Sequence, residues 1–206
     1  MKGRSRNTWI RSIRYLTDRR IIRMFRKIFA LIMAGIMAVM MTGCNTNKVT
    51  GGDIDAPVTG EVLNTASDFV VRGFIESIFN NDRDLFEKCF PESVIANSNE
   101  LNIDLFEQYR KSVDSEGRFL GTQYMNFNDL SKEGGYKDAD SYRASISIIT
   151  GIPEDQITTM HIEHIKVYFD VNGTNRYTEI YALAYESNGS WYVYELQDNE
   201  KGFNAK

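Results

Sequence analysis

His161 and Glu163 are the residues of this 206-residue chain best placed to do chemistry. Residues two apart on a strand share a face, so the two would stand beside Ile165, Val167 and Phe169, with Ile162, His164, Lys166 and Tyr168 on the other face. An imidazole next to a carboxylate can act as a general base near neutral pH. Set at a solvated strand end instead, both would simply face water. His161 and His164 make a poor metal pair, because they fall on opposite faces and no third ligand is evident. No catalytic or cofactor motif stands out, so no cofactor and no metal are expected.

Three other groups invite a chemical reading. Tyr168, Tyr177, Tyr181, Tyr185, Trp191, Tyr192 and Tyr194 would suit a sugar or peptide groove, but large half-buried aromatics are also what sheets favour. Glu133, Asp138 and Asp140 near Gly134-Gly135 fail the spacing of a calcium loop and read as an exposed loop. Cys89 sits at helical spacing from Leu85 and Phe86, which makes it a small buried hydrophobe rather than a nucleophile.

The elements that must position these residues follow from period and punctuation. Ala66, Phe69, Val70, Gly73, Phe74 and Ile78 recur at steps of three and four, predicting a helix over 64–80 capped by Asn64 or Thr65. Asn80-Asn81-Asp82 breaks it, and Asp82 caps a short second helix carrying Leu85, Phe86 and Cys89 up to Pro91. A third is expected over 102–116, with Leu105, Phe106, Tyr109 and Val113 inward and Gly117 as its stop. The period then changes. Residues 162–170, 176–186 and 191–196 alternate as strands, joined by Asn172-Gly173 and Asn188-Gly189, the dipeptides that two-residue hairpins prefer. Residues 119–127 form a further strand. Over 142–149 an alternation of Tyr142, Ala144, Ile146 and Ile148 competes with helix-end signals at Asp140 and Gly151-Ile152-Pro153, and the balance falls to helix.

The N-terminal fifth says where the chain works. Arg26-Lys27 precedes an apolar run of about 14 residues, 28–41, short of the roughly 20 needed to span a bilayer. Thr42-Gly43 then supply small residues before Cys44, whose thiolate can take up a lipid. Met41-Thr42-Gly43-Cys44 resembles the lipobox of bacterial lipoproteins. That resemblance implies cleavage before Cys44, a diacylglyceryl thioether on its sulfur and further acylation in some lineages. Two acyl chains, at about 0.8 kcal/mol per buried CH₂, suffice for stable attachment to a membrane. Seven arginines in residues 1–23 make an overlong basic region, so the expected start is Met24. Residues 1–43 hold ten of the 24 Lys and Arg but one of the 28 Asp and Glu, leaving 14 against 27 and a net charge of about −13 on the mature part. Such a field disfavours nucleic acid and bare anionic membrane surfaces and favours cationic partners or bound metal ions, or it simply keeps an exported domain soluble and off the membrane.

Residues 44–61, with Gly51-Gly52, Pro57 and Gly60, read as the lipidated cysteine and a flexible tether reaching on the order of 20–25 Å. Residues 62–197 form one domain, and 198–206 a polar tail. Helices followed by an antiparallel meander make an α+β order. With its opening helix, the Asn80-Asn81-Asp82 break and the closing Asn188-Gly189-Ser190-Trp191-Tyr192-Val193 hairpin, the domain resembles the nuclear-transport-factor-two-like, or cystatin-like, cone domains. The resemblance implies a strongly bent sheet folded over the first helix, with a cavity open at one end. Residues 117–159 depart from that pattern. The preferred reading is a non-catalytic extracytoplasmic lipoprotein domain that binds a small ligand or an envelope protein and pairs with a second copy through its sheet. The alternative is a small pocket enzyme, isomerase- or dehydratase-like, with His161 or Glu163 as base.

Overall fold

Two Asn-Gly turns organise the sheet. The structure is a computed structural model that describes residues 54–113, 117–131 and 139–197. The signal peptide, Cys44, the first part of the tether, Glu133, Asp138 and the tail after residue 197 lie outside those residues. Asn172 and Gly173 have φ of 54° and 78°, and Asn188 and Gly189 of 53° and 76°. Positive φ at both central positions is the type I′ geometry that matches strand twist. These turns join β2 (Ile157–Val171) to β3 (Thr174–Ser187) and β3 to β4 (Ser190–Gln197), and β1 (Arg118–Asp129) pairs with the far side of β2. All four strands are antiparallel, in the order β1-β2-β3-β4. The domain is α+β, helices first and then an open four-stranded sheet. Each expected strand lies within an observed one. β2 starts earlier, at Ile157, because its polar opening Thr158-Thr159 hides from a hydrophobicity pattern while pairing with the end of β3.

The odd face of β2, from Glu163 through Ile165 and Val167 to Phe169, is buried together with Thr178, Ile180, Ala182 and Ala184 of β3. Helix α1 (Ser67–Phe79) crosses this face. At its start Ser67 meets His161, and at its end Phe79 packs against Phe119 and Phe169 at centroid distances of 4.8 and 5.1 Å. Residues 70–78 are all buried, so α1 is enclosed on every side rather than along one stripe. Phe74 contacts Phe86, Phe90 and Tyr109, joining α2 (Arg83–Lys88) and α4 (Leu105–Val113) to the same core.

Asp82 caps α2 as expected, accepting from Leu85 N at 2.9 Å. Neither Asn64 nor Thr65 caps α1, because their side chains are used elsewhere. Asn64 Nδ2 donates to the carbonyls of Lys88 and Trp191, and the Thr65 hydroxyl donates to Val62 O. α4 starts three residues later than expected, since Asn102 turns at a φ of 55° and Asp104 supplies the cap to Glu107 N. Helix α3 (Glu92–Glu100) had no sequence signal: it buries only Val94 and Ser98, too few for a period. The ambiguous segment is α5 (Ala139–Thr150), which lays Tyr142 and Ile146 on Met160, Ile162, Leu183 and Tyr185 of the other sheet face. Ile148 is 58 % exposed, as helical but not strand spacing requires.

Residues 54–61, within the expected tether, are held against the domain. Asp55 N donates to Thr122 O, Ile54 rests on Gly121, and Val58 and Leu63 are buried beside α1. Gly73 makes that approach possible, since a Cβ there would stand 2.2 Å from Leu63 Cδ1. Without a clash, Gly→Ala inside a helix stabilises by about 1 kcal/mol. Here overpacking outweighs propensity, and Gly73→Ala is expected to destabilise by about 1–3 kcal/mol in urea unfolding; an increase in stability would contradict the close packing.

Candidate functional site

His161 sits where four elements converge. On β2 it faces inward opposite Ala184 of β3, whose small side chain leaves room for Trp191 of β4 to reach across. Its ring lies 4.2 Å from Phe127 of β1, nearly parallel, and 4.6 Å from Trp191. Nδ1 lies 2.8 Å from Ser67 Oγ at the start of α1 and 3.4 Å from Glu163 Oε1. The structure thus brings together the two residues the alternation paired. Their neighbours Ser67 and Trp191 are 94 and 30 positions away in sequence, and no local pattern could have selected them.

Glu163 is 0 % exposed, and neither carboxylate oxygen has a hydrogen-bond partner. Oε1 lies 3.4 Å from His161 Nδ1, and that contact is attractive only with a proton on the nitrogen. Around the pair the field is negative. Burial is the main cause holding the Asp68 carboxyl above its usual range, against the pull of Arg72. Burial, followed by the charges of Glu163 and Asp68, pushes the Tyr124 phenol up. Folding therefore favours protonated Asp68, a contribution present at low pH and lost as pH rises through the group's raised value.

These distances limit the chemistry. A nucleophile relay needs serine and carboxylate on opposite imidazole nitrogens, whereas Ser67 and Glu163 share Nδ1. A general base must come within about 3 Å of its substrate, and Glu163 has no exposed surface with which to do so. His161 is 13 % exposed, its ring packed against Phe127 and Trp191.

The remaining candidates disperse. His164 faces the other side of the sheet, stacked on Tyr181 with Nε2 3.3 Å from Glu179. Among the described residues no His, Cys, Asp and Glu group is arranged to hold a metal ion. The sheet aromatics do not form one groove: Trp191 turns inward to His161, Tyr192 meets Tyr185 on the opposite face, and Tyr168 is buried with its hydroxyl on Gln123. Asp140 pairs with Arg143 within α5. Cys89 is fully buried, its thiol donates to Leu85 O, and burial pushes its pKa well above the ordinary thiol range.

Comparison of the chain with protein-family models, with curated proteins and with solved structures finds no match. No helix among the described residues is long and apolar enough to cross a membrane.

Two outcomes follow for this site. In a Cys44→Ala background, Cys89 should resist a thiol-disulfide reagent at pH 8 while the domain is folded and react fully in denaturant; rapid native labelling would contradict its placement. Replacing the unbonded carboxyl by an apolar group of similar volume, Glu163→Met, should raise unfolding stability by about 1–3 kcal/mol. A loss of that size would show that the carboxyl serves the fold alone.

Proposed function

We propose that this chain is a lipoprotein held on the extracytoplasmic face of the cell membrane through Cys44, and that its domain binds rather than catalyses. The Arg26-Lys27, apolar run and Thr42-Gly43-Cys44 series supports the location. One observation carries the choice of binding over catalysis: the two residues with catalytic chemistry are built into the packing. Glu163 is sealed beneath the sheet's inner face, and His161 is clasped between two aromatic rings. The net charge of about −13 on the mature part favours a cationic partner and disfavours nucleic acid.

The finer architecture belongs to the same proposal. A helix crossing the inner face of a four-stranded meander supports the likeness to cone-shaped nuclear-transport-factor-two-like domains. Half-buried Tyr177 and Tyr181, with Lys166 over the Tyr177 ring, offer an outer-face patch for a second copy or an envelope protein.

An isomerase- or dehydratase-like enzyme is the second reading, favoured by the unbonded oxygens of Glu163 beside an imidazole. It requires an inner cavity that opens onto Glu163.

Mass spectrometry of membrane fractions from cells carrying the wild type or Cys44→Ala tests the location. The wild type should yield an acylated N-terminal peptide beginning at Cys44, and the variant should lose it and release the domain. Recovery of a soluble wild-type chain with an uncut leader would overturn the proposal.

A further inference from the structure

The imidazole of His161 fills a slot with a defined chemistry. In the sheet order, β1 lies on one side of β2 and β3 with β4 on the other, so Phe127 and Trp191 flank the ring from opposite sides. The planar imidazole touches both rings, at centroid distances of 4.2 and 4.6 Å. At the floor lie Ser67 Oγ, 2.8 Å from Nδ1, and Glu163 Oε1, 3.4 Å away. The carboxyl group is fully buried and hydrogen-bonded by nothing, and after burial the charges of Glu163 and Asp68 raise the Tyr124 phenol.

The resident is a poor match for this floor. One ring nitrogen meets two oxygen atoms, Ser67 Oγ and, at a long 3.4 Å, Glu163 Oε1, and the second carboxylate oxygen has no hydrogen-bond partner. A guanidinium is planar, stacks on aromatic faces, and presents N–H groups in a fork that fits both oxygens of a carboxylate. Phe127 is 44 % exposed, which places one wall of the slot at the surface.

We propose that this slot is a receptor for a guanidinium group, presented by an arginine side chain of a partner, and that His161 is the plug filling it when no partner is bound. Aromatic walls, a buried carboxylate and a surrounding excess of negative charge each select the same ligand. The proposal stands apart from the lipid anchor and holds whether or not Cys44 is acylated.

Thermal unfolding of the full chain carrying His161→Ala, titrated with methylguanidinium chloride at low millimolar concentration, tests it. The midpoint should rise by about 3–6 °C and saturate, with no rise in sodium chloride of equal ionic strength. His161→Ala with Glu163→Gln should show no rise, and neither should His161→Phe, whose ring fills the slot. If His161→Ala does not fold unaided, the same titration should restore its circular dichroism. Absence of a saturable response in His161→Ala, or an equal response in either control, would overturn the proposal.

Discussion

Arg72 and Glu76, one turn apart on α1, have side chains about 5 % exposed, and everything around them is arranged to satisfy two charges that water cannot reach. Thr122 of β1 mediates: its hydroxyl accepts from Arg72 Nε at 3.0 Å and donates to Glu76 Oε1 at 2.6 Å. The second Glu76 oxygen takes the amide of Val58, and Arg72 also donates to Ala56 O. One ion pair therefore ties together the central helix, the edge strand and the residues leading in from the tether. Breaking such a pair by removing one partner costs about 3–5 kcal/mol, because the other charge is left buried. α1 consequently has little freedom to turn or slide on the sheet, and Ser67 at its start is delivered to His161.

The same domain that satisfies Arg72 and Glu76 so fully leaves Glu163 with two unbonded oxygens. A chain able to build the first network has no structural need for the second arrangement, and a buried carboxyl without a hydrogen bond is the kind of local cost that functional sites carry. The strand edges are handled more conservatively. Asp55 covers part of the β1 edge, a bulge between Tyr124 and Asn126 twists the next stretch away, and the β4 edge gives the Trp191 and Val193 amides to Asn64 O and Cys89 O. These features blunt edge-to-edge association.

Legibility followed the range of the interactions. The Asn-Gly turns, the alternation of the strands and the Asp82 cap are local, and each was readable from a few residues. The helix around Tyr142 was readable with difficulty, because Ile146 serves a helix and a strand equally and only the exposure of Ile148 separates them. α3 was invisible, since a helix that buries one valine and one serine has no apolar period. The burial of Arg72 and Glu76 had no local signal either, since it depends on Thr122 and on the carbonyl and amide of residues 56 and 58. The alternation correctly placed His161 beside Glu163, but the rings that clasp His161 come from strands on either side and its hydroxyl partner from the first helix.

A double-mutant cycle on Arg72→Met and Glu76→Met measures the interaction on which this arrangement rests. Each single variant should lose several kcal/mol, and the double variant, having no charge to strand, should recover most of it, giving a coupling of about 2 kcal/mol or more. Single effects that simply add, to within about 0.5 kcal/mol, would contradict the account.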